Sequence, residues 1–207
     1  LKVPKQFINI GNTNFLDFIL LNLDKNIFDM ILISSKERYI KKFLIPIRNK
    51  YTRHNIKFSN SGKTRQITVR KSLNKLKKYN PKNVLIHDSA RPLLTNNLIN
   101  KIIKSLNKDL AVIPYTIKND LLKIKKNYIN ENDKLLHIQT PQGFNFNTIL
   151  SAHKKTKIYN AKDDSILIED QGIKLKMLKG ESSNIKITYK EDLIFFRKFI
   201  HQNFKSG

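Results

Sequence analysis

The stretch VLIHDSARP, residues 84–92, decides the fold, because an apolar run ends there in a histidine, an aspartate and an arginine. The short branched residues 84–86 are typical of a strand that is buried on both faces of a parallel sheet. Pro92 ends regular strand pairing, and Thr95 is placed to cap a helix over 96–107. The polar cluster therefore lies at the carboxyl end of a buried strand, which is where open α/β sheets bind ligands.

Outside this stretch, strand and helix patterns alternate along the chain. Strands that alternate with helices predict an α/β fold with a mostly parallel sheet flanked by helices. Pro46 predicts a kink or break in the second helix. The predicted strands cover 30–35, 55–59, 84–88, 110–115, 173–179 and 184–188, and the predicted helices cover 14–26, 36–51, 64–79, 96–107, 145–156, 163–170 and a segment from Lys190.

Residues 116–138 break this rhythm, since apolar and charged positions alternate there around an Asn-rich turn. This pattern predicts a hairpin arm. An arm that projects from an α/β body needs a partner to cover its apolar side chains, and a second copy of the same chain is the simplest partner. We therefore expect a homodimer formed through this arm, and the apolar residues concerned are Leu121, Leu122, Ile124 and Ile129.

Length and composition exclude several classes of protein. A chain of 207 residues can bury a core and predicts a single domain over 1–207. The chain has no cysteine, which excludes disulfides and thiolate metal sites. No apolar run approaches the roughly 18 residues of a membrane span, and no signal peptide is visible. We expect a cytoplasmic protein with no membrane partner.

The formal net charge of +24 would suit a nucleic-acid-binding protein. All but seven of the 40 basic residues are lysine, however, and they are scattered along the chain. Nucleic-acid surfaces more often show arginine clusters interleaved with aromatic residues. We therefore expect a general attraction to anionic substrates and no nucleic-acid partner.

Six short motifs follow one another in order. They are PKQF (4–7), GKTRQITV (62–69), HDSARP (87–92), QTPQGF (139–144), KDDS (162–165) and NIKIT followed by EDL (184–193). Together they resemble the cytidylyltransferases of sugar-alcohol phosphates, in particular the 2-C-methyl-D-erythritol 4-phosphate cytidylyltransferase family. The resemblance implies a Rossmann-like α/β nucleotidyltransferase domain with a dimerising β-arm. It also implies an enzyme of non-mevalonate isoprenoid precursor synthesis that uses Mg²⁺, CTP and a polyol phosphate.

The chemistry of that family explains which residue types recur in the motifs. A phosphate monoester attacks the α-phosphorus of CTP and expels pyrophosphate, so both reactants are polyanions. Fixed positive charge and a metal ion lower the barrier where negative charge gathers in line with the attack. The attacking phosphate is already ionised, and neither a nucleophilic side chain nor a strong general base is required.

The resemblance implies three groups of site residues. A carboxylate at the end of a buried strand can hold Mg²⁺ through oxygen, and a planar guanidinium suits the phosphate of the acceptor. The implied catalytic residues are Lys5, Lys186 and Asp88, with Asp88 as the metal ligand; the implied nucleotide-binding residues are Gly62, Lys63, Thr68, Ser89 and Ala90; the implied acceptor-binding residues are Arg91, Thr116 and Ser183. Without such roles, Asp88 and Arg91 would form a local ion pair and the two lysines would be ordinary solvated side chains.

The chain departs from the family pattern chiefly on the acceptor side. Ser183 stands where the family has an aspartate, and Asn132 falls where it has an arginine that reaches into the neighbouring subunit. The family threonine of that site matches either Thr116 or Lys118, depending on where the gaps are placed. Substrate identity is therefore less firmly implied than reaction class.

The nucleotide side is better preserved. Lys63 replaces an acidic residue, and Thr68 keeps the hydroxyl of the usual serine. The family's glycine-rich loop, which cradles the triphosphate with backbone N–H groups, has no match here, and we expect a segment of about twenty residues carrying it to precede Leu1.

Two alternative functions stay open at the level of the sequence. The weakly matched acceptor positions leave room for a pentitol-phosphate cytidylyltransferase, acting on a substrate like ribitol 5-phosphate. The unmatched glycine-rich loop and the high positive charge favour a catalytically inactive relative or a basic binding protein.

Overall fold

The computed structural model describes residues 4–10, 13–117, 123–124, 127–128 and 135–203. Its helices are α1 (Phe15–Asn22), α2 (Glu37–Tyr39), α3 (Ile45–Lys50), α4 (Arg65–Leu76), α5 (Asn96–Ser105), α6 (Phe146–Lys155), α7 (Ser165–Glu169) and α8 (Lys190–Asn203). Its strands are β1 (Ile31–Ser35), β2 (Ile56–Asn60), β3 (Asn83–Ile86), β4 (Ala111–Ile117), β5 (Lys123–Ile124), β6 (Asn127–Tyr128), β7 (Leu136–Ile138), β8 (Gln142–Asn145) and β9 (Lys176–Lys179). The alternation of strands and helices predicted from the sequence is confirmed.

Among the described strands, β1 and β2 form a parallel pair, and five strands form a larger sheet in the order β3-β8-β4-β7, with β9 beside β4. Strand β9 is parallel to β4, whereas β8 is antiparallel to both β3 and β4. Strands β3, β4 and β9 therefore run in one direction. The α/β class is confirmed, and β8 is an antiparallel insertion that the sequence did not predict.

Helices cover both faces of the larger sheet, as the alternation of side chains along its strands requires. Val84 and Ile86 of β3 pack in a core cluster with α4, α6 and α7. Leu85 faces the opposite side, where it packs in a cluster with α5. Gly143 of β8 permits the close approach of α5, because a Cβ atom there would lie 2.4 Å from Ile102 Cγ2. The carboxyl end of β3 is thus held between two helical layers.

The amino-terminal half has its own core, in which α1, β1 and β2 pack with the helical segment 37–50. Pro46 was predicted to kink or break that segment, and the structure shows no break. A π-helical turn, Ile40–Leu44, precedes the proline, and the Ile45 N–H donates to the Ile40 carbonyl five residues back. Widening the helix by one residue accommodates the ring without breaking the helix.

The predicted strand over 184–188 is wrong, because this segment forms no ladder in the structure. Its backbone instead bonds to the loop after β3, with the Ile187 N–H donating to the Ala90 carbonyl at 2.8 Å. The carbonyl of Asn184 accepts from the guanidinium of Arg91. The apolar-rich segment 184–188 therefore packs against the loop after β3 instead of joining the sheet.

The base of the predicted arm is a ladder in which β7 pairs antiparallel with β4, from Tyr115 opposite Ile138 to Ile117 opposite Leu136. Further out, β5 and β6 form a second antiparallel pair. These pairings agree with a hairpin. Leu121, Leu122, Ile129, Lys118 and Asn132 lie outside the described residues, and the homodimer stays a prediction. None of the helices described is long and apolar enough to cross a membrane.

Candidate active site

The site is built at the point where β3 ends. His87 and Asp88 directly follow the strand, and the Arg91 N–H donates to the Asp88 carbonyl at 2.9 Å, which closes a turn over Ser89 and Ala90. The bond from Ile187 to Ala90 places the segment 184–188 against this turn. Two of the six motifs thereby meet at the carboxyl edge of the sheet, as expected for a ligand site in an α/β fold.

The carboxylate of Asp88 is bracketed by two cations. Lys186 Nζ lies 2.8 Å from Oδ2, and Arg65 Nε lies 3.3 Å from Oδ1. Burial alone would raise the pKa of Asp88, but Lys186 and Arg65 outweigh it and hold that pKa below its usual value. Asp88 is therefore ionised at neutral pH. It pairs with residues remote in sequence rather than with Arg91, so the local ion pair considered from the sequence is not formed.

Behind Arg65 lies a buried carboxylate that the sequence did not single out. Asp164 Oδ2 is 2.7 Å from Arg65 Nη1, and Asp164 Oδ1 accepts a hydrogen bond from His153 Nε2 at 3.1 Å. Burial alone would lower the pKa of Arg65, but Asp164 and Asp88 together raise it above its usual value. Arg65 and Asp164 both belong to quoted motifs, GKTRQITV and KDDS, and membership of a motif was the only signal that could have drawn attention to them.

His87 is a structural neighbour of the site. The Arg91 carbonyl can only accept, so His87 Nε2 carries the ring proton and donates it at 3.0 Å. His87 Nδ1 then accepts from the Thr140 hydroxyl at 3.1 Å, and the oxygen of that hydroxyl accepts from the Asp88 N–H at 3.1 Å. Burial lowers the pKa of His87 to about 4. The imidazole is therefore neutral at neutral pH and braces the turn.

Arg91 braces the site from the other side. Its Nη1 donates to the Asn184 carbonyl at 2.8 Å and its Nη2 donates to the Ile138 carbonyl at 3.1 Å. The guanidinium thus joins the segment that carries Lys186 to β7 at the base of the arm. Nε of Arg91 is buried and has no hydrogen-bond partner among the described residues. The predicted grip on the acceptor phosphate is untested by this geometry.

The loop before α4 is fastened by its own polar groups. The Gly62 N–H donates to Thr68 Oγ1 at 2.9 Å, and the Thr68 hydroxyl donates to the Thr64 carbonyl at 2.8 Å. A Cβ at Gly62 would lie 2.3 Å from Ile67 Cγ2, so no other residue fits there without displacing Ile67. Lys63, at the tip of this loop, is exposed. The backbone of the loop is thereby held in one shape.

The remaining predicted residues are placed around this centre. Lys5 begins the 3₁₀ turn Lys5–Phe7, which is anchored by the stacking of Phe7 on Phe43 with ring centroids 4.6 Å apart. Thr116 lies in β4 opposite His137 of β7 and is half-buried. Ser183 is exposed and lines a cleft of about 300 Å³ beside the amino end of α5. Lys186 contacts Asp88, and Arg91 donates to the carbonyl of Asn184, two residues before Lys186. Among the described side chains, Thr116 and Ser183 form no hydrogen bond or ion pair with these three residues.

The carboxylate at this site suits a divalent cation that takes most of its ligands from water and substrate. No group of three or more acidic, histidine or cysteine side chains is placed to hold a metal ion in the part of the chain that is described. Asp88 nevertheless presents a carboxylate that is one-fifth exposed and ionised. Mg²⁺ is commonly bound by one or two carboxylates, with waters and substrate phosphates completing its octahedron. A single aspartate at this edge fits that pattern.

The fold and this cluster of charges at the carboxyl edge of the sheet place the chain among the α/β proteins that bind charged ligands at that edge. The sequence model of the 2-C-methyl-D-erythritol 4-phosphate cytidylyltransferase family matches residues 1–202. The chain therefore belongs to this family, and its predicted class, a cytidylyltransferase and hence a nucleotidyltransferase, is confirmed.

Named relatives agree with this assignment. The 2-C-methyl-D-erythritol 4-phosphate cytidylyltransferase of Clostridioides difficile is 36% identical over 200 residues, which are 93% of this chain and 84% of the relative. That of Clostridium tetani is 34% identical over 206 residues, 96% of this chain and 83% of the relative.

Solved structures give the same result for the fold. The 4-diphosphocytidyl-2C-methyl-D-erythritol synthase of Anaerococcus prevotii superposes with a TM-score of 0.83 at 29% identity, covering 94% of this chain and 92% of that one. The 2-C-methyl-D-erythritol 4-phosphate cytidylyltransferase of Thermus thermophilus, at 24% identity and a TM-score of 0.79, covers 95% of this chain and 93% of that one and supports the fold alone.

Proposed function

We propose that this chain transfers CMP from CTP to 2-C-methyl-D-erythritol 4-phosphate and releases pyrophosphate, as a step of non-mevalonate isoprenoid precursor synthesis. The names of the family and of the relatives at 33–36% identity support this reaction. The structural observation that carries it is the ionised Asp88 at the end of β3, with Lys186 Nζ at 2.8 Å. These are the charges that a reaction between two phosphate polyanions needs.

In this reaction an oxygen of the acceptor phosphate forms a bond to the α-phosphorus of CTP. The bond from that phosphorus to the bridging oxygen breaks, and pyrophosphate leaves with the electron pair. Lys186 and Lys5 offset the negative charge that grows on the α-phosphate. In the structure Lys186 is half-exposed and contacts only one oxygen of Asp88, so its ammonium can turn to a phosphate at small cost.

Asp88 is the residue that would hold Mg²⁺. When bound, the ion supplies positive charge to the phosphate oxygens of CTP. The Asp88 backbone N–H is fixed by Thr140, and its side chain is oriented by Arg65 and Lys186. The protein thus aims one carboxylate outward from a rigid turn, which is the part of the metal site that the chain itself provides.

In this proposal, two loops bind the nucleotide. The loop of Gly62, Lys63 and Thr68 faces cytosine through backbone groups, and the rigid fastening by the Thr68 hydroxyl supports that role. The turn over Ser89 and Ala90 holds the ribose. Both loops flank the carboxyl edge of the sheet, which is the ordinary position for a nucleotide in such folds.

The acceptor is bound by Arg91, Thr116 and Ser183 in this proposal, and a second chain completes the site through the arm 116–138. Support for the arm comes from the antiparallel pairing of β4 with β7. Light scattering on the purified chain at micromolar concentration tests the dimer, and a monomer under those conditions would contradict it. We further propose that the enzyme works in the cytoplasm.

A coupled assay of pyrophosphate release tests the reaction. The full chain is incubated with Mg²⁺, CTP and either 2-C-methyl-D-erythritol 4-phosphate, ribitol 5-phosphate or no acceptor, and then with UTP or ATP in place of CTP. Release that requires CTP and the methylerythritol acceptor is the expected result. Preference for ribitol 5-phosphate would replace the proposed acceptor, and no release with any acceptor would refute the proposed activity.

A further inference from the structure

A buried ion pair connects the interior of the protein to Asp88. The side chain of Asp164 is only 1% exposed, and its carboxylate contacts Arg65 Nη1 at 2.7 Å. The same guanidinium reaches Asp88 Oδ1 through Nε at 3.3 Å. On its inner side Asp164 is held by His153, whose side chain is fully buried. Arg65 therefore lies between a buried carboxylate and the carboxylate at the site.

Negative and positive side chains alternate from the core to the edge of the sheet, in the order Asp164, Arg65, Asp88 and Lys186. Removing the partner of a buried carboxylate is strongly destabilising, so Arg65 is constrained to stay with Asp164. One guanidinium charge is then shared by two carboxylates, and the shorter contact is the buried one. Asp88 is oriented by Arg65 but keeps enough negative charge to hold a second cation, which is Lys186 in this structure.

The Arg65–Asp164 ion pair is not the only link between the start of α4 and the segment that carries Asp164. Gln66, the residue after Arg65, donates to the Ile158 carbonyl at 2.8 Å and accepts from the Ala161 N–H at 2.9 Å. The start of α4 is therefore tied to the loop before Asp164 through a second set of bonds. A change at Asp164 can alter charge at the site while the two segments stay together.

We propose that Asp164 and Arg65 are positioning residues for Asp88, with Asp164 holding the guanidinium so that it orients the Asp88 carboxylate without neutralising it toward a divalent cation. This inference rests on the proposed function, in which Asp88 binds the metal. It assigns a role in that site to the KDDS motif and to the arginine of GKTRQITV.

Direct binding of Mn²⁺, a spectroscopic substitute for Mg²⁺, tests the inference. The full chain is titrated with Mn²⁺ in the presence of CTP, and bound metal is followed by electron paramagnetic resonance. In Asp164→Asn the released guanidinium charge falls on Asp88, and we expect the Mn²⁺ dissociation constant to rise about 10-fold, which corresponds to about 1.4 kcal/mol. The Mg²⁺ concentration for half-maximal turnover should rise in parallel, while the KM for the acceptor stays within about two-fold.

Asp163→Asn is the matched control, because Asp163 is adjacent and contacts Gln142 and Ser165 but not Arg65. We expect its Mn²⁺ binding to equal that of the parent chain. The double variant Arg65→Gln with Asp164→Asn removes the guanidinium altogether, and Mn²⁺ binding should recover toward the parent value relative to Asp164→Asn alone. Such recovery is not expected from a merely structural role of Asp164.

The outcomes separate the inference from the proposed function. Unchanged Mn²⁺ binding in a folded Asp164→Asn variant, or an equal loss in Asp163→Asn, overturns the positioning role while leaving the activity intact. If Asp164→Asn does not fold, the double variant decides, because it lacks both positioning residues: Mn²⁺ binding there equal to that of the parent chain overturns the inference, whereas weaker binding supports it. A parent chain that binds Mn²⁺ with CTP but releases no pyrophosphate refutes the activity, and the binding comparison still stands.

Discussion

Asp88 Oδ2 and Lys186 Nζ lie 2.8 Å apart although 98 residues separate them in the sequence. The carboxylate is one-fifth exposed and the lysine side chain is about half-exposed, at 20% and 47%. A pair with that exposure contributes at most about 1 kcal/mol to the stability of the fold. A contact so weak can exchange partners, as the proposed function requires of Lys186 toward a phosphate and of Asp88 toward a metal ion. Function explains the convergence of these residues better than stability does.

The first prediction concerns Asp88→Asn. The substituted side chain is nearly isosteric and lies outside the core, so the fold should be kept and the melting temperature should change by only a few degrees. Turnover should fall by about 10²-fold or more, because a neutral amide is a poor Mg²⁺ ligand. Steady-state pyrophosphate release and thermal melting on the same preparation measure both effects. Turnover at the parent rate with Mg²⁺ would show that the metal site is misassigned.

The second prediction concerns Lys186→Met, which keeps most of the apolar stem and removes the charge. We expect kcat to fall by about 10²-fold, or about 2.7 kcal/mol of transition-state stabilisation, because Arg65, the other cation beside Asp88, is held by the buried Asp164 and does not replace the lost ammonium. The melting temperature should fall by no more than about 4 °C, because the lost pair is exposed. Lys154→Met, on the exposed face of α6, is the control and should leave both quantities unchanged.

The fold was largely predictable because local signals agree with the tertiary structure. The apolar run of β3 and the Thr95 cap of α5 are both observed, with the Thr95 hydroxyl accepting from the Leu98 N–H at 3.1 Å. The errors have physical causes. Strand β8 contains Gly143 and follows Pro141, so its composition does not indicate a strand. Segment 184–188 has strand-like composition, but its hydrogen bonds go to Ala90 and Arg91.

From the sequence, we could predict only those site residues to which the resemblance of the motifs assigns a role. Asp88 and Lys186 were named from the sequence, and the structure places them in contact. Thr140, Asn184 and Asp164 were missed, because their importance comes from bonds across the fold rather than from their neighbours in sequence. Asn184, for example, is fully buried and donates to the Thr140 carbonyl at 2.8 Å. Such contacts cannot be read from periodicity or composition.

The third prediction concerns the Thr68 hydroxyl, which joins Gly62 to the first turn of α4. Thr68→Val keeps the shape of the side chain but leaves the Gly62 N–H without its partner, so the loop should loosen. We expect the KM for CTP to rise about 10-fold and the preference for CTP over UTP to fall, whereas Thr68→Ser, which retains the hydroxyl, should behave like the parent. Kinetics with both nucleotides measure this. Equal KM values in all three proteins would exclude the loop from base recognition.

The fourth prediction concerns Arg91→Lys. The guanidinium bridges two carbonyls, of Asn184 at 2.8 Å and Ile138 at 3.1 Å, and a lysine ammonium on its thinner stem cannot reproduce that fork. Losing one charged hydrogen bond to a half-buried carbonyl should cost about 2 kcal/mol, which for a chain of this size lowers the melting temperature by roughly 4–8 °C.

The same change should raise the KM for the acceptor, while the KM for CTP stays nearly constant, because the Arg91 guanidinium bonds to the carbonyls of Asn184 and Ile138 and not to the Gly62 loop. Arg70→Lys, at an exposed position of α4, is the control and should alter neither quantity. A raised acceptor KM with an unchanged melting temperature would mean that Arg91 acts on the phosphate and that its bridge is dispensable. A lowered melting temperature with unchanged kinetics would mean that the bridge is its whole role, and the acceptor contact inferred from the sequence would be wrong.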